Sequence, residues 1–330
     1  MSLTEFNQSD RCVHFTCPER TVSPAVYILL YVCSAAVVLL TVCGNLLVII
    51  SVFHFKQLHT PTNMLVLSLA VSDFLSGIFV MPPMFIWTIE SCWVFGKDFC
   101  SIYWFTNSIF TISIYTIALI AVDRYLALSN PFLYMNIVSV KITCVVMFFG
   151  WCFAMGYNIA AIYFNIGNLT SSGMCPSECF ISLNEIWTVI DFVYSFIFPL
   201  SVIIILYTQV FMIAKKHATA IRELNNHARP KTQKITSHSM KSERKAAKVL
   251  GILVFVFIMC LLPYFLYSFL GNVIELQANT FQKVSILFCL NSTINPLIYA
   301  LCYPWFRKCI QLIVTLQIFQ IDSALINVLS

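Results

Sequence analysis

The sequence predicts an all-α membrane protein: a bundle of seven transmembrane helices, N-terminus outside, followed by a short amphipathic eighth helix. Three observations predict it. The 330 residues are 59% hydrophobic and only 10% charged, with a mean hydropathy of +0.85, whereas a soluble domain carries about 25% charge. Charge this sparse cannot coat a water-facing surface, which disfavours a cytosolic enzyme, a nucleic-acid binder or a disordered chain. Seven stretches are long and apolar enough to cross a bilayer as helices, and none alternates with the period of two that a β-barrel needs. The basic residues, finally, gather on one of the two sides that seven crossings create.

The spans run approximately over 25–52, 62–87, 100–128, 141–164, 187–214, 247–271 and 282–303. Residues 1–24 form an outer N-terminal segment, 25–303 the bundle, and 304–330 the eighth helix with a short cytoplasmic tail. The start lacks the charged region and small-residue cleavage site of a signal peptide, so the first span reads as a retained helix. With the N-terminus outside, the inner side holds Lys56, Arg124, Lys141, ten Lys/Arg from Lys215 to Lys248, Arg307 and Lys308. The outer side holds only Arg11, Arg20, Lys97 and Lys283. That asymmetry places the N-terminus outside and the C-terminus in the cytoplasm, and a plasma-membrane location follows as the expectation. The long basic connection before span 6 suits anionic lipid or a protein partner. No internal repeat links the two halves, which weakens a cation-coupled transporter using Asp73 and Asp191 as an ion path. No nucleophile–base pair or metal-ligand cluster supports an enzyme.

Six of the fourteen cysteines lie on the oxidising outer side: Cys12, Cys17, Cys92, Cys100, Cys175 and Cys179. Bridges are expected there, but spacing alone leaves their connectivity open. Asn7 and Asn168 head outer-side glycosylation sequons, Asn7-Gln8-Ser9 and Asn168-Leu169-Thr170. Cys309, just past span 7, is either an S-acylation site or an unmodified interfacial thiol.

Ionisable residues inside spans are costly and rarely idle. Asp73 lies mid-span 2, and Asp123-Arg124-Tyr125 closes span 3 on the inner side. Pro199 and Tyr207 punctuate span 5, and Asn295-Pro296-Leu297-Ile298-Tyr299 falls near the inner end of span 7. Together these four constellations resemble the rhodopsin-like G-protein-coupled receptors. Asn291-Ser292 before that motif, Tyr303-Pro304-Trp305-Phe306 after it, the inner-loop run His54–Asn63 and Glu243-Arg244-Lys245-Ala246-Ala247-Lys248 before span 6 sharpen the match. They are similar to the trace amine-associated receptors.

The resemblance implies an olfactory receptor that senses volatile or trace amines and activates a stimulatory or olfactory-type heterotrimeric G protein to raise cAMP. It implies no resident cofactor beyond an allosteric sodium ion at Asp73, Ser113, Asn291, Ser292 and Asn295, oxygen-rich positions suited to a hard cation. It also implies a switch in which Asp123 restrains Arg124 until activation, with Tyr125, Tyr207, Asn295, Pro296 and Tyr299 in the moving parts. A bridge from Cys100 to Cys179 and a second from Cys17, in preference to Cys12, to Cys175 complete the family pattern. Two positions depart from it. The usual span 3 aspartate is replaced by Thr106 or Asn107, depending on whether one counts from Arg124 or from Cys100. Leu261 stands where span 6 ordinarily carries a tryptophan.

Asp191 is the carboxylate in the outer half of the spans, about two helical turns outward of Pro199. Apart from Lys283 at the outer edge of span 7, no Lys, Arg or His accompanies it in the outer half of any span, so a ligand ammonium is its natural partner. Some fish members of the family look similar, with the carboxylate moved to span 5 and the amine reversed in its pocket. Tyr103, Tyr194, Tyr264, Phe265 and Tyr267 supply π-faces for an ammonium. A non-amine ligand, or a weakly coupled pseudoreceptor, is the alternative within this fold.

Overall fold

The computed structural model describes residues 17, 23–170, 179, 184–227, 251–252, 254–267, 269–270, 278–320 and 322–328. Asn7, Cys12, Cys175 and the basic segment 228–250 lie outside these, as does the side chain of Asn168. The described secondary structure is helical throughout. Six helices are long and apolar enough to cross a membrane, and Val254–Tyr267 is a seventh, shorter apolar helix. Pro24–His54 is span 1, Pro61–Phe79 and Met81–Glu90 form span 2, and Gly96–Ser129 is span 3. Val140–Thr170 is span 4, and Val254–Tyr267 is span 6. Span 5 opens at Glu185–Phe192 and continues through Phe198–His227. Ala278–Cys302 is span 7, and Pro304–Val314 is the eighth, interfacial helix. A buried core of Leu69, Phe110, Ile114, Ile203, Phe257, Leu261, Phe265 and Phe288 joins spans 2, 3, 5, 6 and 7.

Three spans are broken, each for a local reason. Span 2 is interrupted at Val80, immediately before Met81-Pro82-Pro83. Neither proline can donate to the preceding turn, so the helix ends at Phe79 and restarts at Met81. Span 3 is interrupted at Asn107. There the Tyr103 carbonyl accepts from Asn107 N at 3.1 Å, Asn107 Nδ2 at 2.8 Å and Thr106 Oγ1 at 2.8 Å. Side-chain donors crowding one carbonyl disturb the regular ladder. In span 5 the segment Val193–Ile197 is a π-turn ahead of Pro199, whose missing N–H and bulky ring widen the preceding turn.

Span 7 also carries a proline inside its helix, Pro296. Pro296 cannot donate to the Ser292 carbonyl, and Asn45 of span 1 supplies the missing donor through Nδ2 at 3.1 Å. Thr41 and Thr293 share a second cross-span hydrogen bond of 2.6 Å. Span 1 approaches so closely that a Cβ on Gly44 would sit 2.8 Å from the Pro296 side chain. Only glycine fits there.

The disulfides correct one expectation. Cys100 bridges Cys179, tying the top of span 3 to the outer loop before span 5. Cys17, expected to reach Cys175, instead bridges Cys92, with their Cα atoms 5.4 Å apart. The left-handed turn at Ser91, φ 53°, ends span 2 just before Cys92. The N-terminal segment is thereby stapled to the first outer loop, and a sulfur so used cannot also hold Cys175.

Candidate functional site

Chain breaks and bulky rings open a cavity in the outer half of the bundle. Val80, Met84 and Trp87 line it from span 2, spaced three and four apart on one helix face. Tyr103, Trp104, Asn107 and Phe110 line it from span 3, Tyr264 from span 6, and Ser285, Phe288 and Cys289 from span 7. Phe110, Tyr264 and Phe288 pack together, with Phe288 4.4 Å and 4.5 Å from the other two ring centres. Trp93 of the first outer loop backs this wall, 5.6 Å from Trp87 and 5.2 Å from Tyr103. Among the described residues Tyr103 Oη donates only to the weak acceptor Met84 Sδ, at 3.2 Å. Trp104 Nε1 is buried without a hydrogen-bond partner among the described residues. Among the described residues the lining is largely aromatic and neutral, with no carboxylate.

Asp191 sits beside this cavity rather than on its wall. Tyr157 of span 4 donates from Oη to Asp191 Oδ1 at 3.1 Å, and Ser195, one turn on, donates to the same oxygen at 3.0 Å. Asp191 Oδ2 accepts no hydrogen bond among the described residues. Tyr194 stacks on Tyr157 at 3.9 Å and lies 5.1 Å from Tyr115. Tyr264 is the link between the two regions: it lines the cavity and lies within electrostatic reach of Asp191. A chain of rings, Phe196 on Phe265 at 4.7 Å and Phe265 on Tyr264 at 5.4 Å, joins span 5 to the same wall.

Deeper in the bundle, Asp73 is fully buried. Ser292 Oγ donates to its Oδ1 at 2.8 Å, Ser113 Oγ to Oδ1 at 3.3 Å, and Asn295 Nδ2 to Oδ2 at 2.7 Å. Ser113 also reaches Ser72 Oγ, at 2.8 Å. Asn291 is buried nearby but makes no hydrogen bond to Asp73 among the described residues. All the immediate donors are neutral, so a charged Asp73 has no fixed counter-ion. Carboxylate and hydroxyl oxygens from three spans are a donor set that fits a small hard cation.

At the inner end, Asp123 is buried and paired with Arg124, whose Nε donates to Oδ2 at 3.0 Å. Thr62 Oγ1 donates to the same oxygen at 2.8 Å, and Tyr134 Oη donates to Oδ1 at 2.7 Å. Arg124 also donates to Thr62. Burial, then the hydrogen bond to Asp123, raises the Tyr134 phenol above its ordinary range, so it remains a donor. Tyr299 is 1% exposed, packs edge-on to Phe306, and has a buried hydroxyl with no partner among the described residues. Tyr207 lies near both Arg124 and Tyr303, and Tyr125 is half-buried.

Comparison with known proteins decides the family. Residues 44–299 match the 7 transmembrane receptor (rhodopsin family). Trace amine-associated receptor 13c of Danio rerio is 38% identical, over 99% of this chain and 98% of its own. Trace amine-associated receptor 8a of Rattus norvegicus is 38% identical over 96% of this chain and 95% of its own. Receptor 6 of the same species is 36% identical over 96% and 94%. The chain belongs to the trace amine-associated receptors. It is a receptor, not an enzyme, and a multi-pass membrane protein.

Among the ligand residues named from the receptor's sequence, Tyr103, Asn107 and Tyr264 reach the cavity wall. Asp191 and Tyr194 belong to the groove between spans 4 and 5, Phe265 is core, and Thr106 turns back on Tyr103. Tyr267 is half-buried and off the lining. Trp87, Met84, Ser285 and the positioning donor Tyr157 were missed. The three-and-four spacing of Val80, Met84 and Trp87 was a legible signal, whereas nothing local in span 4 pointed Tyr157 at Asp191. Glu90, at the outer end of span 2, accepts from Tyr31 Oη at 2.5 Å and lies off the cavity wall. Cys309, considered for acylation, is fully buried, and burial pushes its thiol up to about 11, which opposes the thiolate that acyl transfer requires.

Proposed function

We propose that this receptor senses a primary or other protonated amine through Asp191 and transmits its binding to a heterotrimeric G protein. The observation that carries the reading is the half-used carboxylate: two neutral donors hold Oδ1, while Oδ2 is left to accept from an ammonium. Such a cation in a low-dielectric site must be paired, and the aromatic wall beside it suits an apolar body and adds cation–π attraction of about 0.5–2 kcal/mol. Tyr264 bridges the two regions, so the ammonium end lies toward span 5 and the apolar end toward spans 2 and 7. The names of the relatives, all trace amine-associated receptors, support the ligand class.

On the inner side, Asp123, Thr62 and Tyr134 hold Arg124 in the resting form. Activation releases it to the G protein while Tyr207 and Tyr299 repack around the opened cleft, and Tyr125, Asn295 and Pro296 complete the moving parts. Asp73, Ser113, Ser292 and Asn295, with Asn291 alongside, would hold a sodium ion, which would supply the counter-charge that Asp73 lacks. The receptor stands in the plasma membrane with its N-terminus outside, carrying glycans at Asn7 and Asn168. It is olfactory and couples to a stimulatory G protein that raises cAMP.

The test is an amine panel on cells expressing the receptor with a cAMP reporter, run in parallel on Asp191→Ala at matched surface level. A dose-dependent response lost in the variant supports the reading. Equal responses from both chains move the ammonium away from Asp191, and silence of both across all amines favours a non-amine ligand.

A further inference from the structure

Beyond the interfacial helix the chain does not leave the bundle. Leu316 and Asp322 both adopt left-handed backbone, φ 57° and 65°, a conformation uncommon for residues other than glycine and costly for a bulky one. The two turns fold residues 315–320 and 322–328 back beneath span 1. His54 shares a hydrogen bond of 2.9 Å with Ser323 Oγ, and Val328 N donates to Gln57 Oε1 at 3.1 Å. Val328 then buries against Phe55, Leu58, Cys309 and Leu312. One side of this strap is thus packed on the first inner loop.

The other side is open and apolar. Val314, Leu316, Phe319 and Leu325 are 70%, 66%, 83% and 58% exposed. No Lys or Arg follows Lys308, and Asp322 is the single acidic residue in the last 22. The strap is fastened at His54 and Gln57, directly beside Phe53, which is 66% exposed on the last turn of span 1. Its open face therefore adjoins the lipid-facing surface of the bundle at the inner boundary, where an amphipathic segment buries its apolar side among headgroups and acyl chains. Burying exposed apolar surface is favourable by roughly 25 cal/mol per Å², and residues 314–328 themselves carry no Lys or Arg to add attraction to anionic lipid. We propose that residues 314–328 form a lipid-docking strap in the inner leaflet, held by apolar insertion and indifferent to anionic lipid. The strap also covers Cys309, so anchoring at this end of the receptor rests on side chains rather than on an acyl group at that thiol.

The experiment places 4-trifluoromethylphenylalanine at position 319 of the full-length receptor in phosphatidylcholine nanodiscs and follows its fluorine resonance. Doxyl-labelled lipid is expected to broaden the signal several-fold more than a soluble gadolinium chelate, with or without phosphatidylserine. Dominant broadening by the soluble chelate would mean a free cytoplasmic tail, and protection from both agents a protein-covered face such as a second copy. Dependence on phosphatidylserine would mean electrostatic docking. Each of those three results overturns the proposal. As a second readout, Leu316→Ser/Phe319→Ser/Leu325→Ser should expose the tail to protease in inside-out vesicles while the parent's tail is spared.

Discussion

In the inner half of the receptor, Asp73 accepts from spans 3 and 7 on both of its oxygens, and Asp123 accepts from Thr62, Arg124 and Tyr134 on both of its own. In the outer half, Asp191 has two donors on one oxygen and none on the other among the described residues, beside a cavity of rings. The inner carboxylates accept from the protein on both oxygens and so hold a resting arrangement that some other change must break. The outer one is oriented but incompletely paired, the condition of a group that awaits a partner from outside. Partial pairing of a buried charge is expensive, and it is retained where the missing partner is a ligand.

Substitutions can break or sharpen this contrast. The largest effect is expected at Arg124→Ala: the cAMP response disappears while surface expression and radioligand binding persist, and an unchanged dose–response curve would remove Arg124 from coupling. Next is Asp191→Ala, since truncating one member of a buried charge pair costs about 2–5 kcal/mol, roughly thirty- to several-thousand-fold in potency. Asp191→Glu should weaken the response less, and Thr106→Ala far less again, because that hydroxyl bonds back to Tyr103. Tyr157→Phe removes one hydrogen bond to a charged group, about 1.5 kcal/mol or more, so a potency loss of about tenfold is expected with surface level unchanged. A parent-like curve there would show that Asp191 needs no orientation from span 4.

The smallest functional effect belongs to the packing of spans 1 and 7. Gly44→Ala forces a methyl against Pro296, and overpacking of this kind costs about 1–3 kcal/mol. The expected readout is a lower unfolding temperature in detergent with amine potency little changed; equal stability would mean that span 1 can shift outward freely.

The sequence by itself determined seven apolar helices, the family motifs and the identity of every ionisable group inside the membrane. Those features are local: composition and hydrophobic length are properties of a stretch, whatever it packs against. The Cys100–Cys179 bridge was also legible, because the family pattern fixes it. Tertiary structure alone decided the rest. Cys17 reaches Cys92 instead of Cys175 because the turn at Ser91 ends span 2 just before Cys92. Asp191 stands beside the aromatic cavity, not on it, because a tyrosine 34 residues earlier in the chain and a serine one turn away hold one of its oxygens. Residues 322–328 fold under span 1 because Val328 and Ser323 find partners at Gln57 and His54, more than 260 residues distant in sequence. Each is a meeting of side chains from different elements, and helical periodicity carries no record of which residue on a neighbouring helix stands opposite.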